Sequence, residues 1–285
     1  CLTGEALDSI SQRQIPSILF SNIPHGNNVV FDISHGFRHQ PIIAAHVIPF
    51  MRWTHNIKSV SFFSGVWEAR DENNIAPVIE TPICQELIDA TEAAAILEVT
   101  GNYESIGKCL KLDPELAWFL ENTNQLGNAR KCAQQLVSEV KGKTDVVDAQ
   151  LAEILLERLQ WSSGERFADR VQQSASSAID RGYYFRAVVL GYEAVLIRAG
   201  KIFYPSADPL NYQSRGSAEK DLFDQLTGDD RELLRDLQHT RNACAHGTRS
   251  NRASVQQLLL SPKEFKDLMN RVFDLFERLP QLLKN

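Results

Sequence analysis

The hydrophobic positions along this chain change their period part-way. Asn28-Val29-Val30-Phe31-Asp32-Ile33 is a short apolar run ending at Ser34-His35-Gly36. Such a run, bounded by turn residues, predicts a buried strand entering a turn. Pro41 to Met51 is apolar nearly all round and predicts a helix packed on a sheet. Lys58-Ser59-Val60-Ser61-Phe62-Phe63, stopped at Ser64-Gly65, predicts a second strand. Strand, helix and strand in that order make a βαβ unit with a parallel sheet. Pro82 to Thr100 predicts a helix with Ile83, Leu87, Ile88, Ala94, Ile96 and Leu97 as apolar positions, broken by Gly101-Asn102-Tyr103.

From about Ala117 onward the strand signals stop. Val146 to Leu159 places Val147, Leu151, Ile154, Leu155 and Leu159 at helical spacing. Tyr183 to Ala199 carries Val188, Val189, Tyr192, Val195 and Leu196 on one face. Asp229 and Asp230 start a further helix through Leu233, Leu234 and Leu237. Ser261-Pro262-Lys263-Glu264 combines an N-cap serine, proline at the first helical position and glutamate at the third. Phe265, Leu268, Met269, Val272, Phe273, Phe276 and Leu279 then form an apolar stripe. These stripes predict an all-α bundle in which they are core. Tyr204 to Gly216 is expected to be its clearest loop. No internal repeat or low-complexity segment is present. The fold class expected is α/β plus all-α, with an α/β domain over residues 1–130 and a helical bundle over 131–285.

Composition narrows the class without deciding function. With 285 residues, 43% hydrophobic and 23% charged, the chain can bury sizeable cores and is not of disordered type. No apolar run approaches the roughly 20 residues that cross a bilayer, so no membrane partner is expected. Cys1 to Ile15 lacks the basic start and apolar block of a secretory signal. Cys1, Cys84, Cys109, Cys132 and Cys244 are scattered, without a Cys-x-x-Cys pair. That argues against a disulfide framework or structural zinc site and for a reduced, cytoplasmic setting. The net charge of −6 speaks against a nucleic-acid binder, but 14 of the 19 arginines lie in residues 145–285. Arg231, Arg235, Arg241, Arg249 and Arg252 fall within one short stretch. A basic face for RNA and a solvated helix face of mixed charge both fit that spacing.

Two segments carry candidate chemistry. The first is Arg241-Asn242-Ala243-Cys244-Ala245-His246-Gly247, at the C-terminal end of a predicted helix. Bare Arg-x4-His is a weak signal: with 19 Arg and 7 His in 285 positions, chance supplies about half a match. Asn242, the helix end, Gly247 and the all-α context sharpen it. RNA cleavage needs the 2′-OH deprotonated, the phosphate charge stabilised and the 5′-oxygen protonated. A histidine, with an ordinary pKa of ~6.5, can act as base or acid near neutrality. A permanently charged arginine can hold the phosphorane-like transition state. No metal is then required, and no cofactor is expected. The plainer reading is a helix C-terminus where Arg and His meet the dipole and Gly247 caps the last turn. The residues alone leave these two readings level.

The second segment is Asp32-Ile33-Ser34-His35-Gly36-Phe37-Arg38, at the end of the first strand. Open parallel sheets bind ligands there, and exposed helix N-termini favour phosphates. Ser34, His35 and Arg38 could donate to a phosphate or base, and Gly36 lets backbone approach closely. An ordinary strand-to-helix loop fits these residues somewhat better when they are taken alone.

The run DISHGFRHQP resembles the D-[ST]-HGFR-x-x-P signature of CRISPR-associated CARF proteins, in the accessory nuclease family of type III systems. PVIETPI, AAAILEVTGNYESI and RNACAHG are similar to further segments of that family in the same order, so the resemblance covers nearly the whole chain. It implies a Rossmann-like CARF domain, its N-terminal part incomplete, that binds cyclic oligoadenylate. A helical HEPN domain that cuts single-stranded RNA would follow. The implied function is a cyclic-oligoadenylate-activated, metal-independent endoribonuclease of antiviral defence, acting as a homodimer or higher homo-oligomer. Under the resemblance, Arg241 and His246 match the catalytic pair and Asn242 the polar residue beside it. Ser34, His35, Gly36 and Arg38 match the ligand-side loop, with Ser34 where Thr is more usual. One Arg–His set per subunit would face its two-fold mate on an isologous interface. The activator would act by binding the active arrangement more tightly. One rival is a non-catalytic nucleotide-sensing dimer whose helical half binds RNA or a partner; the intact Arg241 and His246 favour the enzyme. The other is a HEPN toxin with an unrelated α/β half, against which the D-S-HGFR run speaks.

The match departs at the start. The family's first strand and its Gly-containing loop have no counterpart, and the chain opens on Cys rather than Met, so preceding residues are expected. Ile23-Pro24-His25-Gly26 resembles the family's I-P-x-G run but abuts the Asn28–Ile33 strand directly. A parallel crossover needs about a dozen residues. Either Ile18–Ser21 is not a parallel strand, or residues are absent between Gly26 and Asn28; absence is the expectation.

Overall fold

Two helices precede the first strand in the computed structural model, which describes residues 6–34, 37 and 39–283. They are α1 (Ser9–Gln12), capped by Asp8, and α2 (Gln14–Asn22). Ile18–Ser21 therefore lies inside a helix, and α2 reaches β1 (Asn28–Asp32) through a turn at Gly26, φ 77°. A helix entering a strand needs no crossover, so the reason for expecting absent residues between Gly26 and Asn28 falls away.

The βαβ unit forms, but β1 is not the buried strand expected: its residues alternate between exposed and half-buried, and Val30 is 68% exposed. α3 (His39–Thr54) carries the chain back, and β2 (Ser59–Gly65) pairs parallel with β1, Asn28 opposite Ser59 and Asp32 opposite Phe63. Val47, Ile48 and Met51 of α3 bury against Val60 and Phe62, with Leu19 and Phe20 of α2 closing this small core. The sheet does not continue in parallel. β3 (Val78–Glu80) pairs antiparallel with β2, Phe63 opposite Glu80, and completes a three-stranded mixed sheet of order β1-β2-β3. The expected parallel sheet is corrected to this small mixed one. All three residues of β3 are exposed, so no apolar alternation marked it.

After β3 the described chain is helical. α4 (Pro82–Thr100) begins on Pro82 and stops at Gly101, φ 68°, in the left-handed region that glycine enters without strain. Next come α5 (Glu104–Cys109), α6 (Glu115–Asn122), α7 (Leu126–Val140) and α8 (Val146–Arg158). A 3-10 turn at Gln160–Ser163 leads to α9 (Phe167–Asp180), α10 (Tyr184–Phe203) and α11 (Tyr212–Gln225). α12 (Gly228–His246), α13 (Ala253–Leu258) and α14 (Pro262–Leu282) complete the bundle.

One apolar core runs through these helices, from Ala90 and Leu97 to Leu279 and Leu283. α4 serves both cores, with Cys84 and Ile88 under the sheet and Ala90, Ala93 and Leu97 in the bundle. Packing thus changes along α4, and no change of core marks residue 130, where the α/β domain was expected to end. α10 lies at the centre, packed by α9, α11, α12 and α14. The stripe of α14 buries Leu275 where Phe273 was expected, and Phe273 is half-buried at its edge. The expected loop Tyr204–Gly216 ends early: the Asn211 side chain accepts from the backbone N–H of Ser214 at 3.1 Å and starts α11 at Tyr212. No described helix is long and apolar enough to cross a membrane.

Candidate active site at the end of α12

Leu233, Leu234, Leu237, Thr240 and Ala243 recur three and four apart and bury the inner face of α12. That stripe decides what the last two turns present. Arg241 and Asn242 are half-buried beside it, and His246 is exposed in the final turn. Gly247, φ 61°, then ends the helix.

Arg241 is held from two sides. Its Nη1 donates to Asn242 Oδ1 at 2.9 Å, and its guanidinium carbon lies 4.7 Å from the centroid of the Tyr192 ring of α10. Tyr192 is fully buried, and its hydroxyl donates to Glu219 Oε1 of α11. Gln238 Nε2 of α12 donates to Glu219 Oε1 at 2.6 Å and to Tyr192 Oη at 3.2 Å. Arg215 of α11 pairs with Glu193 of α10 at the same junction. Burial pushes the Tyr192 hydroxyl well above its ordinary value, its bond to Glu219 and the Glu219 charge add to this, and Arg241 opposes it. Burial, then the charge of Arg241, loosens the proton on Arg215. The result is a cation stacked on a fixed ring and backed by a hydrogen-bonded carboxylate.

Within one chain the structure does not join Arg241 to His246. The helix advances about 7.5 Å and turns about 140° between them. No hydrogen bond or ring contact links the two side chains. The basic stretch around them is partly neutralised. Arg252 donates to Asp236 (2.9 Å) and Glu232 (2.8 Å), and Arg235 to Glu232 (2.5 Å). The bonds from Arg252 and then Arg235 hold the Glu232 carboxyl below the usual range. For Arg235 and Arg252 the mixed-charge reading describes the surface, while Arg249 is exposed.

The pattern of residues put Tyr192 on an apolar face and missed Glu219 and Gln238. A signal for both was available: Glu219 follows buried Ala218 and Gln238 follows buried Leu237, polar residues at the edge of core stripes.

At the sheet, Ser34 lies just past β1. Its hydroxyl donates to Asp32 Oδ1 at 2.5 Å and accepts from the Gly65 N–H at 2.5 Å. It clamps the carboxyl ends of the two parallel strands and keeps one lone pair unengaged. His35, Gly36 and Arg38 lie outside the described residues. Among the described residues no group of three or more His, Cys, Asp or Glu side chains is arranged to hold a metal ion.

No protein-family model matches the chain, and no curated protein matches it. The end of α12 is therefore read from its own chemistry. Arg241 offers an oriented, permanent positive charge, and His246 offers an exposed imidazole at the same helix end.

Proposed function

We propose that this protein is a metal-independent endoribonuclease for single-stranded RNA, working as a homodimer and switched by cyclic oligoadenylate at the Ser34–Arg38 loop. The observation that carries the reading is the fixed guanidinium of Arg241, stacked on Tyr192, on the same helix end as exposed His246. A pre-oriented cation stabilises charge developing on phosphorus without reorganising. The imidazole moves the proton of the attacking 2′-oxygen or of the departing 5′-oxygen. The 2′-oxygen bonds to phosphorus as the P–O5′ bond breaks, leaving a 2′,3′-cyclic phosphate and a 5′-hydroxyl. Because Arg241 and His246 diverge round the helix, a site using both brings together the α12 ends of two copies. The identity of the substrate and the activator rests on the resemblance over Asp32–Arg38 and Arg241–His246.

The test incubates labelled RNA with the protein and a panel of cyclic oligoadenylates, with and without EDTA. Cleavage is expected to persist in EDTA and to leave the ends just named. His246→Ala is expected to keep the fold and lose cleavage. Cutting of RNA carrying 2′-O-methyl groups throughout, or parent-rate cutting by His246→Ala at saturating activator, refutes the mechanism. Arg38→Ala should weaken activator binding by roughly 1.5–3 kcal/mol, the worth of a charge-assisted bond, and leave activator-free cutting unchanged.

A second reading has an observation of its own. Arg241 also ties α12 to α10 by its stack on Tyr192, as a structural arginine would, and Gln238 ties α12 to α11, which suits a non-catalytic nucleotide-sensing dimer. Failure of every cyclic oligoadenylate to elicit cutting, with binding retained, favours that reading.

A further inference from the structure

We propose that the cleft between α4, α8 and α9 is a separate binding site for a phosphate dianion, either free or as the terminal phosphate of a nucleotide. The inference is independent of the function proposed for α12.

Buried charge comes first. Glu121 of α6 is enclosed, its side chain 2% exposed, and its Oε1 accepts from Arg158 of α8 (2.5 Å) and Arg186 of α10 (3.3 Å). Arg181, just after α9, is a third guanidinium at this point. Its Nη1 bonds the carbonyl and hydroxyl of Ser177, and among the described residues no carboxylate lies within ion-pair distance of it. Burial, then the charge of Arg158, loosens the proton on Arg181. Three buried or half-buried guanidiniums thus face one buried carboxylate. Charge buried without compensation is costly, and an anion would offset it.

A cavity of ≈ 450 Å³ opens on this charge, lined by Arg158, Arg181, Trp161, Gln173 and Ser177. It shares Arg158, Ser177 and Arg181 with a smaller neighbouring cavity that is lined also by Gly101, Glu121, Ser174 and Arg186. The carboxylates of Glu98 and Glu157 also line it, but both residues are exposed, where water and salt screen them. Gly101 keeps the wall open: a Cβ there would lie 3.3 Å from Arg181 Cδ and 3.5 Å from Arg158 Nε.

Unmatched donors supply the independent sign of a ligand. Trp161 and Ser174 are each 6% exposed, and neither the indole N–H nor the hydroxyl has a partner. Nε of Arg181 and Nε of Arg186 are likewise buried without one. Buried donors ordinarily find acceptors; Trp161 and Arg181 line the larger cavity, and Ser174, Arg181 and Arg186 the smaller one beside it, where the acceptor Glu121 Oε2 is also without a partner. A phosphate presents several charged acceptor oxygens in the geometry a guanidinium fork reads. The cavity is within the roughly 300–1,000 Å³ of small-molecule sites, large enough for a nucleoside attached to that phosphate.

The experiment measures melting temperature and calorimetric binding on the intact protein with inorganic phosphate, the four nucleoside 5′-monophosphates, and unphosphorylated nucleosides. Phosphate or nucleotides are expected to bind and raise the melting temperature, and nucleosides to do neither. Tighter binding of a nucleotide than of phosphate identifies a nucleotide as the source; equal affinities identify free phosphate. Arg181→Gln is expected to weaken binding about tenfold to a hundredfold. Trp161→Phe, which removes the N–H and leaves an aromatic ring at the site, should weaken it about threefold to tenfold. If Arg181→Gln fails to fold, Trp161→Phe decides alone. Absence of binding by phosphate and all four nucleotides, or undiminished binding in either folded variant, overturns the proposal.

Discussion

Tyr192→Phe removes one oxygen from the junction that carries Arg241 and leaves the stacked ring in place. Tyr192 is 0% exposed, so water cannot take over its bonds. Glu219 loses a donor and Gln238 loses one of its two acceptors. A hydrogen bond to a charged group contributes about 1.5–3 kcal/mol, and Gln238 still donates to Glu219. A loss near the lower end, about 1.5–2 kcal/mol in urea unfolding at neutral pH, is therefore expected. The alkaline limb provides the sharper check. Burial, and then Glu219, raise the Tyr192 hydroxyl above its unfolded value of 10.0. Below pH 10 both states keep the proton, and the bond contributes in full. Above it the unfolded chain releases the proton while the folded chain retains it, so stability falls by about 1.4 kcal/mol per pH unit until the folded value is passed. The variant lacks this loss, so the gap between the two proteins should narrow by about 1 kcal/mol between pH 10 and pH 11, approaching about 1.4 kcal/mol per unit above that. Other groups that titrate there, Tyr103 and Tyr204 among them, cancel in the comparison. A gap that stays constant with pH, or a variant as stable as the parent at pH 8, refutes the reasoning.

Glu121→Gln leaves the buried guanidiniums of Arg158 and Arg186 without their carboxylate and should cost about 3–5 kcal/mol in chemical denaturation. The triple change Glu121→Leu, Arg158→Met and Arg186→Met should recover most of that loss, and a single-variant loss under about 1 kcal/mol would contradict the role of burial. Two glycines should respond differently to alanine. A Cβ on Gly107 would sit 2.3 Å from Cγ of the rigid Pro114 ring, so Gly107→Ala should lose about 1–3 kcal/mol. On Gly191 it would meet the mobile tip of Met269 at 2.6 Å, and the helical preference for alanine, about 0.5–1 kcal/mol, should leave Gly191→Ala near neutral. Melting temperatures in the reverse order would disprove the distinction.

Where an element buries one face by a local rule, its residues announced it. β2, α3, α4, α8, α10, α12 and α14 were legible because apolar spacing reports burial whatever the partner, whereas the apolar run of β1 marked the strand but not its exposure. Chain stops at Gly101 and Gly247, and the start at Ser261, were legible for the same reason, since caps act over a few residues. Contacts between distant residues were not. β3 exists because Phe63 and Gly65 offer it backbone partners, and three exposed residues carry no period of their own. The α2 helix at Ile18–Ser21 resembled a strand until its packing against α3 was known. Arg241, Asn242 and His246 could be named from the order of residues. That Arg241 is pinned over Tyr192 while His246 stands exposed depends on where α10 and α11 pack against α12. The same holds for Glu121: its place on α6 looks ordinary until α8 and α10 bring Arg158 and Arg186 to it. A stripe of apolar residues specifies that a face will be covered, and only the assembled core decides which polar groups are enclosed along with it.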